Sequence, residues 1–343
     1  NWFVYLERAF WYCNHAIGAA ELGWDVKVLD GLGYSDLEKL MGLDYFPTLQ
    51  IPSRPVKGKF EHPDCVIVVF PNDSKEFSVD YKSLSSLITE SLSELEWIGT
   101  PNLLSKEHIC WDIIYRTAEA VKKPLTHGDG LEIEPFQSSE LISDDLYKGF
   151  TAREVVRKRR SAVDMDGVHV MKRETFYQIL LHCLPSGSRG GGEKQGKQLA
   201  LPFRVLPWDS EVHAVIFVHR VVGLPKGVYF LVRNEDHFHD LKQATRSEFE
   251  WVKPEGCPAD LPFYMLTRGD CQQIAKRLSC HQRSLRDKNV WMYPRLFWET
   301  GILGQVLYLE AHAIGISATG IGCYFDDAGK SFSIVTCSVI FFL

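Results

Sequence analysis

The stretch Trp291–Asp327, WMYPRLFWETGILGQVLYLEAHAIGISATGIGCYFDD, decides how the rest of the chain is placed. Between Glu299 and Ile314 the apolar residues Ile302, Leu303, Val306, Leu307, Leu309, Ala313 and Ile314 recur at offsets of three and four, with small Gly301, Gly304 and Ala311 among them. That spacing predicts a buried helix. Gly315 is the usual residue just past a helix end, and the β-branched ISATGIG segment behind it closes on Gly320 and Gly322. By periodicity alone this is a core helix packed on a sheet. Its glycines add a place where something can approach the backbone closely.

The same design occurs once more, near the start of the chain. Phe10–Leu37, FWYCNHAIGAAELGWDVKVLDGLGYSDL, holds an alanine-rich helix, Leu22-Gly23, an apolar strand Val26–Leu29, and then Gly31, Gly33, Tyr34 and Asp36. The later copy has Ile314-Gly315, Ile316–Ile321, Gly320, Gly322, Tyr324 and Asp326. Residue identity between the copies is low, but the order of elements is shared, which is the mark of an internal repeat.

A chain of 343 residues, 45% hydrophobic and 24% charged, has the composition of a globular protein with one large or two ordinary domains. A net charge of −6 gives no basic face for a nucleic-acid backbone, so no nucleic-acid partner is expected. The longest apolar run, Ile334–Leu343, falls far short of the roughly 20 residues that span a bilayer, so no membrane partner is expected either. Nine cysteines, an odd number with no C-x-x-C pair, argue against a disulfide framework or a structural zinc site. A reducing intracellular compartment, cytoplasmic or organellar, follows. The chain opens inside a helix without a Met, which leaves room for a targeting segment ahead of it.

In chain order, Trp2–Leu22 reads as a helix and Ser35–Met41 as a short one with Ser35 as N-cap and Glu38 completing a capping box. Pro47–Pro63 is a proline-rich loop, and Asp64–Pro71, DCVIVVFP, is a buried strand. Helices follow at Leu84–Leu95 and Lys106–Val121. The polar stretch containing THGDG separates the halves, giving 1–122 as a first half, 123–150 as a linker and 151–343 as a second half.

The second half opens with helix Thr151–Lys158 and the run Arg157, Lys158, Arg159, Arg160, Ser161. A charge run of this kind is either a solvated helix face or an anion cradle, since guanidinium groups fork onto phosphate oxygens and a serine adds a neutral donor. Glu174–Cys183 reads as an amphipathic helix. The glycine-rich SGSRGGGEKQGKQ, Ser186–Gln198, lacks the Ser or Thr that completes a phosphate loop after Gly196-Lys197, and reads as a mobile loop. Val212–Val222 and Gly227–Arg233 read as a hairpin. His237-Phe238-His239 offers two imidazoles but no third ligand at metal spacing, so no metal is expected. Cys271–Leu278 reads as a helix; the adjacent Cys280-His281 is set aside as a nucleophile and base, because sequence neighbours seldom face one another.

YPRLFWETGILGQVLYLEAHAIGISATGIGCYFDD resembles the C-terminal helix-and-glycine segment of the nitroreductase superfamily, and within it the SagB-type dehydrogenase branch, often built as two tandem halves. Thr151–Gly167, TAREVVRKRRSAVDMDG, resembles the family's opening helix and Arg-Arg-Ser motif. Val221–His237, VVGLPKGVYFLVRNEDH, resembles the branch's strand pair, and DLEKLMGLDYFP with HPDCVIVVFP resembles the tail of a half. The resemblance implies an α+β, nitroreductase-like fold with helices around a central, mainly antiparallel sheet, arranged as a tandem pseudo-dimer or as a homodimer. It implies FMN as cofactor, held at the ribityl and phosphate by Arg159, Arg160 and Ser161 and at the ring by the backbone of Gly320, Gly322 and Cys323. Pro207-Trp208-Asp209-Ser210 stands where the family has a Pro-Ser-Gly stretch lining the flavin pocket.

The function implied is flavin-dependent oxidoreduction, with a reduced nicotinamide or the substrate itself as hydride source. No side chain is assigned as a catalytic acid, base or nucleophile, because the flavin carries the chemistry. The residues select no small-molecule or peptide substrate. An alternative is a flavin-free scaffold acting through protein interaction, or an inactive truncated isoform. It draws on a first half that lacks its opening elements and on a final AGKSFSIVTCSVIFFL, apolar enough to pair as a strand, that resembles nothing in the first repeat.

Overall fold

A computed structural model describes residues 2–43, 62–73, 77–98, 112–126, 131–133, 147, 149–185, 200–271, 289–321 and 340–342. The fold is α+β, and its described strands form small, mainly antiparallel sheets of two or three strands in place of the expected central one. Two compact units divide the chain, Gly23–Gln137 and Trp2–Leu22 with Ser138–Leu343.

In the first unit, β1 (Trp24–Val28) pairs antiparallel with β2 (Ile67–Pro71) over the register Trp24↔Pro71 to Val28↔Ile67. β2 lies within the strand read at Asp64–Pro71, but Val69 is exposed, because a two-stranded sheet buries only one face. α2 (Tyr34–Leu40) is capped two residues earlier than its sequence suggests: Gly33 is the N-cap, Asp36 accepts the Gly33 N–H, and Ser35 is not the cap. Asp36 also accepts from Ser85 of α3 (Tyr81–Leu92), so one buried carboxylate both ends a turn and ties two helices together. Leu32, Leu37, Phe70, Tyr81 and Ile88 form the core beneath them. β3 (Phe77–Val79), α4 (Asp112–Ala120) and β4 (Leu131–Ile133) complete the unit. The β3–β4 pairing places regular structure inside the stretch read as a linker.

The second unit is assembled around one helix. α1 (Trp2–Glu21), α5 (Ala152–Lys158) and α6 (Arg173–His182) all pack on α8 (Tyr293–Ala313). Every residue of α8 from Pro294 to Val306 is buried, so this helix is enclosed on all sides and its charges must find partners inside the protein. The sequence reading assigns α1 to the first half, whereas here it lies along α8. Tyr12 meets Trp298 edge to face at 5.5 Å, Gln305 Nε2 donates to Asn14 Oδ1, and Cys13 and Ala16 are fully buried. The two helices are thus packed on one another.

The two segments compared in the sequence continue in the same way. Gly23 (φ 76°) follows α1 and Gly315 (φ 82°) follows α8, each in the left-handed region that glycine reaches without a Cβ penalty. Each glycine leads toward an antiparallel strand, β1 in the first segment and β10 (Thr319–Ile321) in the second. β10 pairs with β11 (Ile340–Phe342), so part of the apolar tail does pair as a strand. Elsewhere β6 (Ala214–Val218), β8 (Gly227–Leu231) and β9 (Phe263–Arg268) form the three-stranded sheet, with β8 buried throughout and Tyr229 stacked on Phe263 at 5.0 Å. The hairpin read at Val212–Arg233 is present as β6 and β8. β5 (Met171–Lys172) and β7 (Val221–Val222) make a short parallel pair, and α7 (Phe238–Ala244) follows the hairpin. Ser186–Gln198 and Cys280-His281 lie outside the described residues, as does Cys271–Leu278 beyond Cys271.

Candidate functional site

Thr151 caps α5 by accepting the Glu154 N–H, and Glu154 returns the bond to Thr151 N, so the helix is started by local chemistry and directs its C-terminal end at α8. Arg159 is the C-cap residue, and the chain beyond it runs extended toward the segment after α8. Ala162 N donates to Ala318 O at 2.8 Å, joining the arginine segment to the glycine segment directly. Between them stands Tyr308. The Arg159 guanidinium lies over the phenol ring, 4.9 Å from its centroid, Ser161 Oγ is 3.2 Å from the phenol oxygen, and Gly320 N donates to that same oxygen at 2.5 Å.

Of the six residues that the resemblance assigns to FMN, the structure brings three together: Arg159, Ser161 and Gly320. Arg160 turns away and donates to the carbonyls of Arg157 and Arg159. Gly322 and Cys323 lie outside the described residues. Lys158 pairs with Glu154, whereas among the described residues no ion pair involves Arg159, which sits at a partly exposed position. The cluster is therefore a set of anion donors: one guanidinium, one hydroxyl and one backbone N–H. Ser161 and Gly320 reach a single oxygen atom.

Tyr308 was not legible in the sequence. The three-and-four spacing selects Leu307 and Leu309, yet both are only half-buried while Tyr308 is 6% exposed. The available signal was a tyrosine hydroxyl within the apolar half of the helix, since a buried tyrosine OH needs a partner.

A second polar cluster lies where α8 meets the strand ends. Glu299 Oε1 accepts from Arg233 Nη1 at 2.5 Å, from Ser210 Oγ and from Val212 N, while Oε2 accepts from Glu211 N. Arg233 also donates to the carbonyls of Cys183 and Val212 and lies over the Phe203 ring. Both side chains are essentially inaccessible. This pair holds the departing segment Pro207–Ser210: Ser210 serves Glu299 and contributes to structure. Next to it, His213 accepts the Arg233 N–H at Nδ1, which places its own proton on Nε2, facing His237 Nδ1 at 3.2 Å. Burial first, then His237 and Arg233, pushes the His213 pKa down to about 3, so it is neutral near pH 7. His239 is directed to Gln243. Among the described residues no group of three or more His, Cys, Asp or Glu is placed to hold a metal ion, and no helix is long and apolar enough to cross a membrane.

A third cluster is half-buried. Tyr147 OH donates to Glu310 Oε2 at 2.8 Å, and His182 Nδ1 lies 2.9 Å from that same oxygen. The first unit carries a shallow, open depression beside α3, lined by Asp80, Lys82, Ser83, Ser86, Leu87 and Glu90, none of which belongs to these clusters. No protein-family model matches this chain, and no curated protein or solved structure does.

Proposed function

We propose that this chain is an FMN-dependent oxidoreductase of the nitroreductase-like kind, as its SagB-type resemblance implies. The observation that carries the reading is convergence. Two stretches separated by more than a hundred residues in sequence, both assigned to one flavin by the resemblance, meet at Tyr308. The packing of one repeat helix on the other supports a tandem arrangement in which both copies contribute to one body.

The donor set fits an anionic or carbonyl oxygen of a flavin. Arg159 brings charge with no ion pair among the described residues, Ser161 a hydroxyl, and Gly320 a backbone N–H at an exposed position where a side chain would obstruct approach. Bound there, FMN would supply the redox chemistry, carrying a hydride at N5 between a reduced nicotinamide or the substrate and an acceptor. The protein's own part is to bind and orient. α5 presents Arg159, α8 supplies the floor, and the buried Arg233–Glu299 pair keeps the Pro207–Ser210 segment against that floor. Small-molecule and peptide substrates both remain open to this chemistry.

One observation favours the second reading, a flavin-free scaffold. Ser161 and Gly320 are already satisfied by Tyr308, and the Ala162–Ala318 bond closes the space between the segments. The two readings separate on colour. Purified protein with a flavin band near about 450 nm, or protein that takes up added FMN, supports the oxidoreductase; protein that stays colourless in excess FMN supports the scaffold.

A further inference from the structure

The part of that obstacle that Tyr308 makes, its hold on Ser161 and Gly320, has a physical solution within the same cluster. We propose that Tyr308 is a displaceable occupant of the FMN site: its phenol oxygen holds the place between Ser161 and Gly320 that a flavin oxygen takes, so flavin binding and withdrawal of the tyrosine are one event. This rests on the flavin reading above.

Three features of the cluster support it. First, the phenol oxygen already has the contacts of a bound ligand atom: it accepts a backbone N–H from Gly320 and meets the Ser161 hydroxyl, with the Arg159 guanidinium over the ring that carries it. Second, the exchange has a driving force. A phenol is neutral, whereas an anionic oxygen accepting from Gly320 N–H and Ser161 O–H together replaces neutral hydrogen bonds by charge-assisted ones, with the Arg159 charge in the same cluster. Third, Ser161 and Gly320 are themselves exposed, so the oxygen lies just below the surface and the ring has a short path to solvent. The same contacts explain why the site is closed by default: a buried phenol and a strand N–H satisfy one another.

A residue that competes with the ligand behaves opposite to one that holds it. Apparent affinity is the intrinsic affinity reduced by the fraction of molecules in which the site is open. Tyr308→Phe removes the oxygen while keeping the ring beneath Arg159, and so frees Ser161 and Gly320. We expect it to bind FMN about 2- to 10-fold more tightly than the parent chain, the value of one net hydrogen bond, and to associate faster. Without flavin its melting temperature falls, because Gly320 N–H loses its acceptor. Arg159→Ala binds FMN more weakly.

The experiment is titration of FMN fluorescence against the full chain and both variants, with melting temperatures alongside. Tighter binding by Tyr308→Phe together with lower stability supports displacement. Equal or weaker binding by Tyr308→Phe, with Arg159→Ala still weakened, overturns displacement and leaves the flavin site standing. No FMN binding by the parent chain, or none altered by Arg159→Ala, overturns the site and displacement with it. Should Tyr308→Phe fail to fold, peptide-mapped nitration of Tyr308 in the parent chain decides: FMN is expected to raise its modification, and a fall or no change overturns the proposal.

Discussion

Two arginines in the second unit face opposite circumstances. Arg233 is enclosed, paired with Glu299, and further bonded to the carbonyls of Cys183 and Val212. Arg159 stands partly exposed at the end of α5 with an aromatic face beneath it and no ion pair among the described residues. A guanidinium taken out of water needs an anion supplied by the protein. One left at the surface carries no such need and keeps its charge for something that arrives. The first arrangement holds the fold, and the second is suited to a ligand. The Tyr147–His182–Glu310 cluster lies between them, with one carboxylate serving two donors in partial contact with solvent.

The comparison breaks most readily at Glu299. Glu299→Ala leaves the Arg233 charge buried and uncompensated, and urea unfolding is expected to show a loss of about 3–5 kcal/mol. Arg159→Ala is expected to move the same curve by less than about 0.5 kcal/mol. Comparable losses in the two variants would erase the distinction. Its converse is read in cofactor retention. Arg159→Ala should cost roughly 1.5–3 kcal/mol of FMN affinity, one charge-assisted contact, while Arg160→Ala, whose guanidinium is turned onto its own backbone, should cost less. Reversal of that order would move the anion contact from Arg159 to Arg160.

Acid sharpens the contrast further. His213 beside the buried pair has its folded-state pKa pushed from 6.5 down to about 3, so between those values the unfolded chain binds the extra proton. The stability this contributes is complete above about pH 6.5 and drains as pH falls toward 3, at up to roughly 1.4 kcal/mol per pH unit. His213→Asn, which retains an acceptor for Arg233 N–H, is expected to flatten this dependence in urea melts taken from pH 7 to pH 4; an unchanged slope would assign the acid sensitivity elsewhere. The smallest effect belongs to the intermediate cluster. Glu310→Gln keeps an acceptor but loses the charge, and should cost about 1 kcal/mol, measurable by thermal unfolding, with Tyr147 and His182 still able to reach the amide.

Several elements were legible in the amino-acid string. α8, the glycine at its end, the helix α5 and the β6–β8 hairpin follow from local rules, in which residues three or four apart share a helix face and a left-handed turn wants glycine. The arginine run and the glycine segment were also visible as separate features. Local rules failed where a partner came from far away. Ser35 has a capping residue's chemistry, yet Asp36 takes that task because Ser85 fixes the same carboxylate. The apolar periodicity passed over Tyr308, which packs with Ala311, Ala318 and Ile316 and whose hydroxyl finds Ser161 and Gly320. Ser210 stands where the resembled family has a pocket-lining stretch, and only the structure shows its hydroxyl bonded to Glu299.

What the chain determined by itself is the set of pieces: an α+β alternation, a repeated helix–glycine–strand order, and a surplus of positive charge at one helix end. Those depend on contacts within a turn or two, where sequence distance and spatial distance nearly coincide. Tertiary structure alone decided that α1 lies along α8 and that Arg159, Ser161 and Gly320 share one tyrosine. It also decided which of two neighbouring arginines lies over the tyrosine ring and which turns onto its own backbone. Such outcomes depend on which buried groups find partners across the fold, and an unpaired charge or hydroxyl inside a protein is costly enough to override local preference.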